Sequence, residues 1–141
     1  MSYLIDTCAL SELTRNKPDV NVVAWFEARS QRGLYLSVLT LGEIRKGVEA
    51  LPNAQSGKHR KDKILNWLEH DLPLWFDDRI LPIDRGVADE WGRLLARVGR
   101  SLPAIDSLIA ATAIHNRLTV VTRNISDFDS AGVDVFNPWT G

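Results

Sequence analysis

Cysteine is nearly absent from this sequence, with Cys8 the single one among 141 residues. One cysteine can form neither an intramolecular disulfide nor a metal cluster that needs several thiolates. Long hydrophobic runs are also missing, and no stretch approaches the roughly 20 apolar residues that span a bilayer. The N-terminus has no basic segment followed by a long apolar stretch, so no secretion signal is predicted. These absences predict a cytoplasmic protein that does not enter a membrane.

An excess of charge of either sign is missing as well. Lys and Arg together number 17 against 18 Asp and Glu, which gives a formal net charge of −1. The overall balance therefore does not indicate a nucleic-acid-binding protein. Basic residues cluster locally, however, in GKHRKDK at 57–63 and, at helical spacing, in Arg93, Arg97 and Arg100. A solvated helix face has the same appearance, so both interpretations of these clusters stay open.

What the sequence does contain is a regular alternation of short apolar strands and amphipathic helices. The predicted strands cover 3–5, 33–37, 79–83, 118–122 and 133–136. The predicted helices cover about 7–14, a segment with Pro18 in its first turn, 40–51, 64–75, a segment capped by Asp84, and 103–115. The stretch 52–61 is predicted to be a loop.

This alternation predicts the fold class. Strands that alternate with helices form βα units around a mostly parallel sheet, with helices on both faces. A chain of this length, with 45% hydrophobic residues, can bury a core of its own. The predicted fold is α/β, a three-layer α/β/α sandwich formed by one domain over residues 1–141.

Four carboxylates occupy comparable places in this pattern. Asp6 directly follows the first strand, and Glu43 lies in the first turns of the helix after the second strand. Asp106 begins the largely apolar helix at 103–115, and Asp127 falls in the predicted loop after the strand LTVVT. Ligands of open α/β sheets bind at the carboxyl ends of the strands. We therefore expect the four carboxylates to meet at one edge of the sheet.

Each carboxylate also has a purely structural explanation. Asp6 could cap a helix, and Thr40 and Glu43 have the spacing of a capping box. Asp127 could be a turn residue. Asp106 is harder to explain in this way, because its apolar neighbours predict a buried environment in which a carboxylate needs a partner.

Taken together, the four carboxylates indicate a metal-dependent hydrolase. Carboxylates that are forced together repel one another unless a hard cation binds, and Mg²⁺ or Mn²⁺ prefers such oxygen ligands. An ion held in this way binds substrate phosphates and lowers the pKa of a bound water molecule. The reaction class that needs these parts is metal-assisted hydrolysis of a phosphodiester.

Four segments resemble the PIN-domain ribonucleases: LIDTCALSEL, LTLGEIRKGV, AIDSLIAATAIHNRLTVVTRNISDF and VFNPW. Within that family the sequence is most similar to the VapC toxins, in particular to their FitB-like branch. The resemblance implies Mg²⁺- or Mn²⁺-dependent cleavage of an RNA substrate. It also implies a type II toxin that is inhibited by a small DNA-binding antitoxin protein. A homodimer that assembles with the antitoxin into a hetero-oligomer is expected.

The resemblance also assigns residues to the site. The acidic positions of the family fall on Asp6, Glu43 and Asp106, and a fourth, less uniform acidic position falls on Asp127. The expected roles of these four residues are catalysis and metal binding. The polar positions that support the site fall on Thr7, Thr122 and Asn124.

One departure from the family pattern is Cys8, where many members have asparagine directly after the Asp-Thr pair. An amide can hydrogen-bond and orient a carboxylate, whereas a thiol does so poorly. The departure therefore affects the expected support of Asp6, while the acidic positions themselves are all present. The simpler interpretation of Cys8 is a small buried apolar side chain.

Two other functions compete with a ribonuclease. The first is a non-catalytic PIN-like binding or regulatory module that acts with a DNA-binding partner, in which the acids only cap helices. The second is a phosphatase with an aspartyl nucleophile, but such enzymes have another Asp two residues after the first, and that position here is Cys8. A lack of stabilisation by divalent cations would favour the non-catalytic module.

Overall fold

The strands form one parallel sheet in a computed structural model that describes residues 1–52 and 57–141 in full and the backbone of 55 and 56. They are β1 (Tyr3–Ile5), β2 (Leu34–Ser37), β3 (Ile80–Leu81), β4 (Thr119–Val121) and β5 (Val135–Phe136). Their order across the sheet is β3-β2-β1-β4-β5, and neighbouring strands are parallel. The chain moves outward in one direction from β1 and in the other from β4. The topological switch point, where such sheets bind ligands, therefore lies between β1 and β4.

Helices connect the strands. They are α1 (Thr7–Glu12), α2 (Val20–Glu27), α3 (Val38–Glu49), α4 (Gln55–Asn66), α5 (Leu72–Phe76), α6 (Arg85–Val98), α7 (Ala104–Asn116) and α8 (Ile125–Asp129). A π-helical turn, Trp67–Asp71, joins α4 to α5. Among the described helices, none has the length and apolar character that crossing a membrane requires.

The two faces of the sheet carry separate cores, because successive strand residues point to opposite faces. Leu4 pairs with Val120 in the register of β1 and β4, and both belong to the core under α6, α7 and α8. Ile5 pairs with Val121, and both belong to the core under α1, α2, α3 and α5. All four side chains are fully buried. The predicted three-layer α/β/α sandwich is confirmed.

The prediction of a loop over 52–61 is wrong for most of that stretch. Residues 53 and 54 lie outside the described residues, but α4 begins at Gln55, so the basic residues that follow are helical. Lys58, His59 and Arg60 are exposed. An apolar stripe, the signal that locates an amphipathic helix, begins only at Ile64 and does not mark these first turns.

Helix starts are otherwise set by polar caps. Asp19 caps α2, because its carboxylate accepts hydrogen bonds from the N–H groups of Asn21 at 2.9 Å and Val22 at 3.2 Å. Pro18 therefore precedes the cap instead of occupying the first turn. Asp84 caps α6 as predicted, and it accepts a hydrogen bond from the N–H of Val87 at 2.9 Å.

Candidate active site

Asp6 is the first residue after β1 and lies at the switch point of the sheet. Its backbone N–H donates to the carbonyl of Val121 at 3.0 Å, and its side chain is largely buried. One carboxylate oxygen, Oδ1, accepts from the N–H of Thr7 at 2.9 Å. The other, Oδ2, accepts from Oγ1 of Thr122 at 2.8 Å. Asp6 thus caps α1 with one oxygen, and the cap does not exclude a second role because each oxygen has a further lone pair.

Thr122 supports Asp6 from the end of the neighbouring strand. Its hydroxyl is fully buried and accepts a hydrogen bond from the N–H of Asn124 at 3.0 Å. Since that N–H can only donate, the hydroxyl proton is left for Asp6. Asn124 therefore supports the site through its backbone, and its side chain makes no capping hydrogen bond to α8.

Cys8 lies against the same carboxylate. Its Sγ is 3.7 Å from Oδ2 of Asp6 and 3.4 Å from Oγ1 of Thr122. Burial raises the pKa of the Cys8 thiol, and the charge of Asp6 raises it further. The thiol is therefore protonated at neutral pH and is a weak donor. Cys8 also packs against the core under α1, so its apolar role and its contact with Asp6 coexist.

Glu43 is exposed on α3 and is held by Thr7, whose Oγ1 donates to Oε1 of Glu43 at 2.6 Å. The capping box considered for Glu43 is absent. The cap of α3 is Ser37, which lies three residues before Thr40. Its Oγ accepts a hydrogen bond from the N–H of Leu39 at 3.0 Å. Thr40 is buried inside the helix, so Glu43 falls in the second turn. Serine at the end of an apolar strand is a common cap, and this signal could have located the helix start.

Asp106 lies in the first turn of α7 and is half-buried. Burial raises the pKa of its carboxyl group, and the negative charges of Asp6, Asp127 and Glu43 each raise it further. The structure therefore places the four carboxylates within electrostatic reach at one edge of the sheet. The surroundings of Asp106 are less apolar than predicted, because the neighbouring Ile105 is 39% exposed.

Asp127 lies in a short helix, and the prediction that it falls in a loop is wrong. Its N–H donates to the carbonyl of Asn124 at 3.1 Å in the first turn of α8. The next residue, Phe128, is fully buried in the core under α6 and α7, which anchors α8. A helix of five residues is too short to show a helical period in the sequence.

The donor set of this edge suits a hard cation. No Lys or Arg in the described part of the chain forms an ion pair with any of the four carboxylates, and the ion pairs there involve other acids. Among the described residues, no group of three His, Cys, Asp or Glu side chains is already arranged to hold a metal ion. The four carboxylates are the residues that could supply oxygen ligands of the kind that Mg²⁺ prefers.

The sequence model of the PIN domain matches residues 3–133 of this chain. The chain belongs to the PIN-domain family. It is similar to the VapC ribonuclease Y4jK of Sinorhizobium fredii, with 37% identity over 139 residues that cover 96% of each protein. It is also similar to Toxin FitB of Neisseria gonorrhoeae, with 38% identity over 139 residues that cover 96% of this chain and 97% of FitB.

Solved structures give the same result. A crystal structure of FitAcB from Neisseria gonorrhoeae has a TM-score of 0.87 and 38% identity, and the match covers 97% of this PIN-domain chain and 98% of the other. A toxin–antitoxin complex from Klebsiella pneumoniae has a TM-score of 0.68 and 27% identity, with coverage of 97% and 98%. The predicted resemblance to the VapC toxins and their FitB-like branch is confirmed.

Proposed function

We propose that this PIN-domain protein is an endoribonuclease that hydrolyses RNA phosphodiester bonds with Mg²⁺ or Mn²⁺ as its cofactor. The observation that carries the proposal is the convergence of four carboxylates at one edge of the sheet, where burial, together with the negative charges of Asp6, Asp127 and Glu43, raises the pKa of Asp106. Repulsion between these charges favours binding of a cation at the same place. The similarity to a protein named VapC ribonuclease supports the same reaction.

Asp6 and Asp106 are the proposed main ligands of the metal, with Glu43 and Asp127 contributing directly or through water. Bound there, the ion would stabilise negative charge on a phosphoryl oxygen and lower the pKa of a water molecule. The chain itself positions the ligands. Thr122 holds one oxygen of Asp6, the N–H of Thr7 holds the other, and the hydroxyl of Thr7 holds Glu43.

Substitution of single carboxylates tests this proposal. Asp6→Asn and Asp106→Asn keep the shape of the side chain but remove its charge, so each should reduce RNA cleavage to the level seen with a metal chelator. The matched control is Asp78→Asn. Asp78 is exposed in the turn before β3, at the amino end of the parallel sheet, and its loss should leave cleavage unchanged. Full activity of purified Asp6→Asn or Asp106→Asn would contradict the assignment.

We further propose that the protein is the toxin of a type II pair, a cytoplasmic homodimer that a DNA-binding antitoxin inhibits. The similarity to Toxin FitB and to a toxin–antitoxin complex supports this role. The site offers a physical means of inhibition, because an Arg from a partner would match the exposed Glu43 and its neighbouring carboxylates.

Co-expression with the small open reading frame expected beside this gene tests the toxin role. The partner should relieve toxicity and yield a stable complex, and light scattering of the isolated protein at micromolar concentration should give the mass of a dimer. If expression of the chain alone does not impair growth, the toxin role fails while the nuclease can still stand.

A further inference from the structure

A continuous groove leads away from the carboxylates between α1 and α4. Its first part, a cavity of about 400 Å³, begins beside Thr7 and Glu43 and reaches Arg60 and Trp67. Its second part, a cavity of about 730 Å³, shares Arg60 and Trp67 with the first and ends at Trp75. The shared lining makes the two cavities one path, which we call the α1–α4 groove.

The far half of this groove is cationic. Arg15, His59, Arg60 and Lys63 line it, and Asp71 is the acid among the described residues around that cavity. Nearer the four carboxylates the groove is also lined by Glu12, whose carboxylate already has partners within the protein. The carboxylate of Glu12 accepts from the N–H of Asp19 at 2.9 Å and pairs with Arg15 at 3.4 Å. Positive charge beyond an acidic centre suits a ligand whose phosphates continue past the reacting bond.

Two basic residues that follow Glu43 closely in the sequence are less suited to this task. Arg45 pairs with Glu69 at 3.0 Å and with Glu49 at 3.3 Å, and it does not line the described part of the groove. Lys46 does not line it either. Arg15 and Arg60 line both cavities, but Arg15 is already paired with Glu12. We therefore take Arg60 as the first cation that is available to a strand leaving the carboxylates.

An indole surface is available at the end of the groove. Trp75 is 47% exposed although it also contacts a neighbouring apolar cavity, and Trp67 is half-buried beneath the path. Bases of a single strand stack on such aromatic side chains. The bases of a duplex are already stacked on one another and are not free to do so.

We propose that a single-stranded segment of the RNA substrate follows the α1–α4 groove, with phosphates at Arg60 and Lys63 and one base stacked on Trp75. The inference rests on the proposed ribonuclease function, and it adds the path that the strand takes beyond the carboxylates and a set of positioning residues. The combination of cations with an exposed indole, continuous with the carboxylates, favours RNA over a protein segment as the occupant.

Binding to the full-length Asp106→Asn protein, which does not cleave under the proposed function, tests the groove. The probes are a labelled single-stranded RNA of mixed sequence and the same RNA as a duplex. Trp75→Ala should weaken single-strand binding about 5- to 150-fold, the range for one stacked base. Arg60→Gln should weaken it and reduce the slope of log affinity against log salt by about 0.7, the value for one phosphate contact.

Two matched controls accompany these variants. Leu74→Ala removes an exposed apolar neighbour of Trp75, and Arg93→Gln removes an exposed arginine on α6. Neither should change the affinity. In the active protein, Trp75→Ala and Arg60→Gln should raise KM for single-stranded RNA with little change in kcat.

The outcomes separate the groove from the ribonuclease. If the active protein cleaves RNA with metal but Trp75→Ala and Arg60→Gln behave like their controls, the groove is wrong and the ribonuclease stands. Equal affinity for the single-stranded RNA and the duplex also overturns the groove. The same holds if Trp75→Ala binds RNA as before and fails only to bind a co-expressed protein partner. If the protein neither binds nor cleaves RNA, both proposals fail.

Discussion

Replacing Thr122 with valine would remove one hydroxyl from the centre of the site and keep nearly the same side-chain shape. That hydroxyl is fully buried, donates to Oδ2 of Asp6 at 2.8 Å and accepts from the N–H of Asn124 at 3.0 Å. The substitution would therefore remove the hydrogen-bond partner of the Asn124 N–H and leave Oδ2 of Asp6 with only the weak thiol contact from Cys8. We expect both stability and activity to fall.

The loss can be estimated from these two hydrogen bonds. A bond to a charged group contributes about 1.5–3 kcal/mol and a neutral one about 0.5–1.5 kcal/mol. The free energy of unfolding should therefore fall by about 2–4.5 kcal/mol. With an unfolding entropy of about 2.1 cal/mol/K per residue over 141 residues, the melting temperature should fall by about 7–15 °C.

Urea and thermal unfolding at pH 7, followed by circular dichroism, measure this effect. The matched control is Thr112→Val on α7, where the buried hydroxyl donates to the carbonyl of Leu108 at 2.7 Å within the same helix. It should cost about 1 kcal/mol or less, because no partner outside the helix is lost. Thr122→Ser keeps the hydroxyl and should recover most of the stability and the RNA cleavage. A Thr122→Val protein that matches Thr112→Val in stability and the wild type in cleavage would refute the reasoning.

Two further predictions concern the carboxylates and their support. Asp106→Asn should stabilise the protein at pH 7 by about 0.2–1 kcal/mol, the size of interactions between partly exposed charges. The pKa of Asp106 is raised above its ordinary 3.8 in the folded protein. The folded state therefore binds more protons than the unfolded state over the pH range from 3.8 up to the raised pKa. The wild type should therefore lose stability as pH rises through that range, and urea midpoints should show the gain of Asp106→Asn disappearing below it. An equal gain in stability from Asp106→Asn at pH 7 and at a pH below that range would count against this account. Phe128→Ala should reduce the free energy of unfolding by about 3–5 kcal/mol, because it empties a fully buried site beneath α8. Phe128→Leu fills more of the space, so it should lose less stability in the same urea titration and retain more of any cleavage that depends on Asp127. A smaller loss for Phe128→Ala than for Phe128→Leu would show that α8 is not anchored in this way.

The sequence by itself determined the features that depend on neighbours along the chain. Consecutive apolar residues such as Leu4 and Ile5 indicate a strand buried on both faces, and the paired cores of the sheet confirm this. Asp84 follows an apolar strand and precedes an amphipathic helix, so its role as a cap was predictable. The placement of acids after strands and at helix starts was visible for the same reason.

Only the tertiary structure decided which of these residues meet. Thr122 and Asp6 are 116 residues apart, and their hydrogen bond exists because β4 lies beside β1 in the sheet. The bond from Thr7 to Glu43 likewise depends on how α1 packs on α3. Local periodicity carries no information about such pairings, since the strand order follows from burying all the apolar faces at once. The basic start of α4 escaped prediction for a related reason: its exposed turns carry no apolar stripe, and only the folded chain shows Arg60 beside the path that leaves the carboxylates.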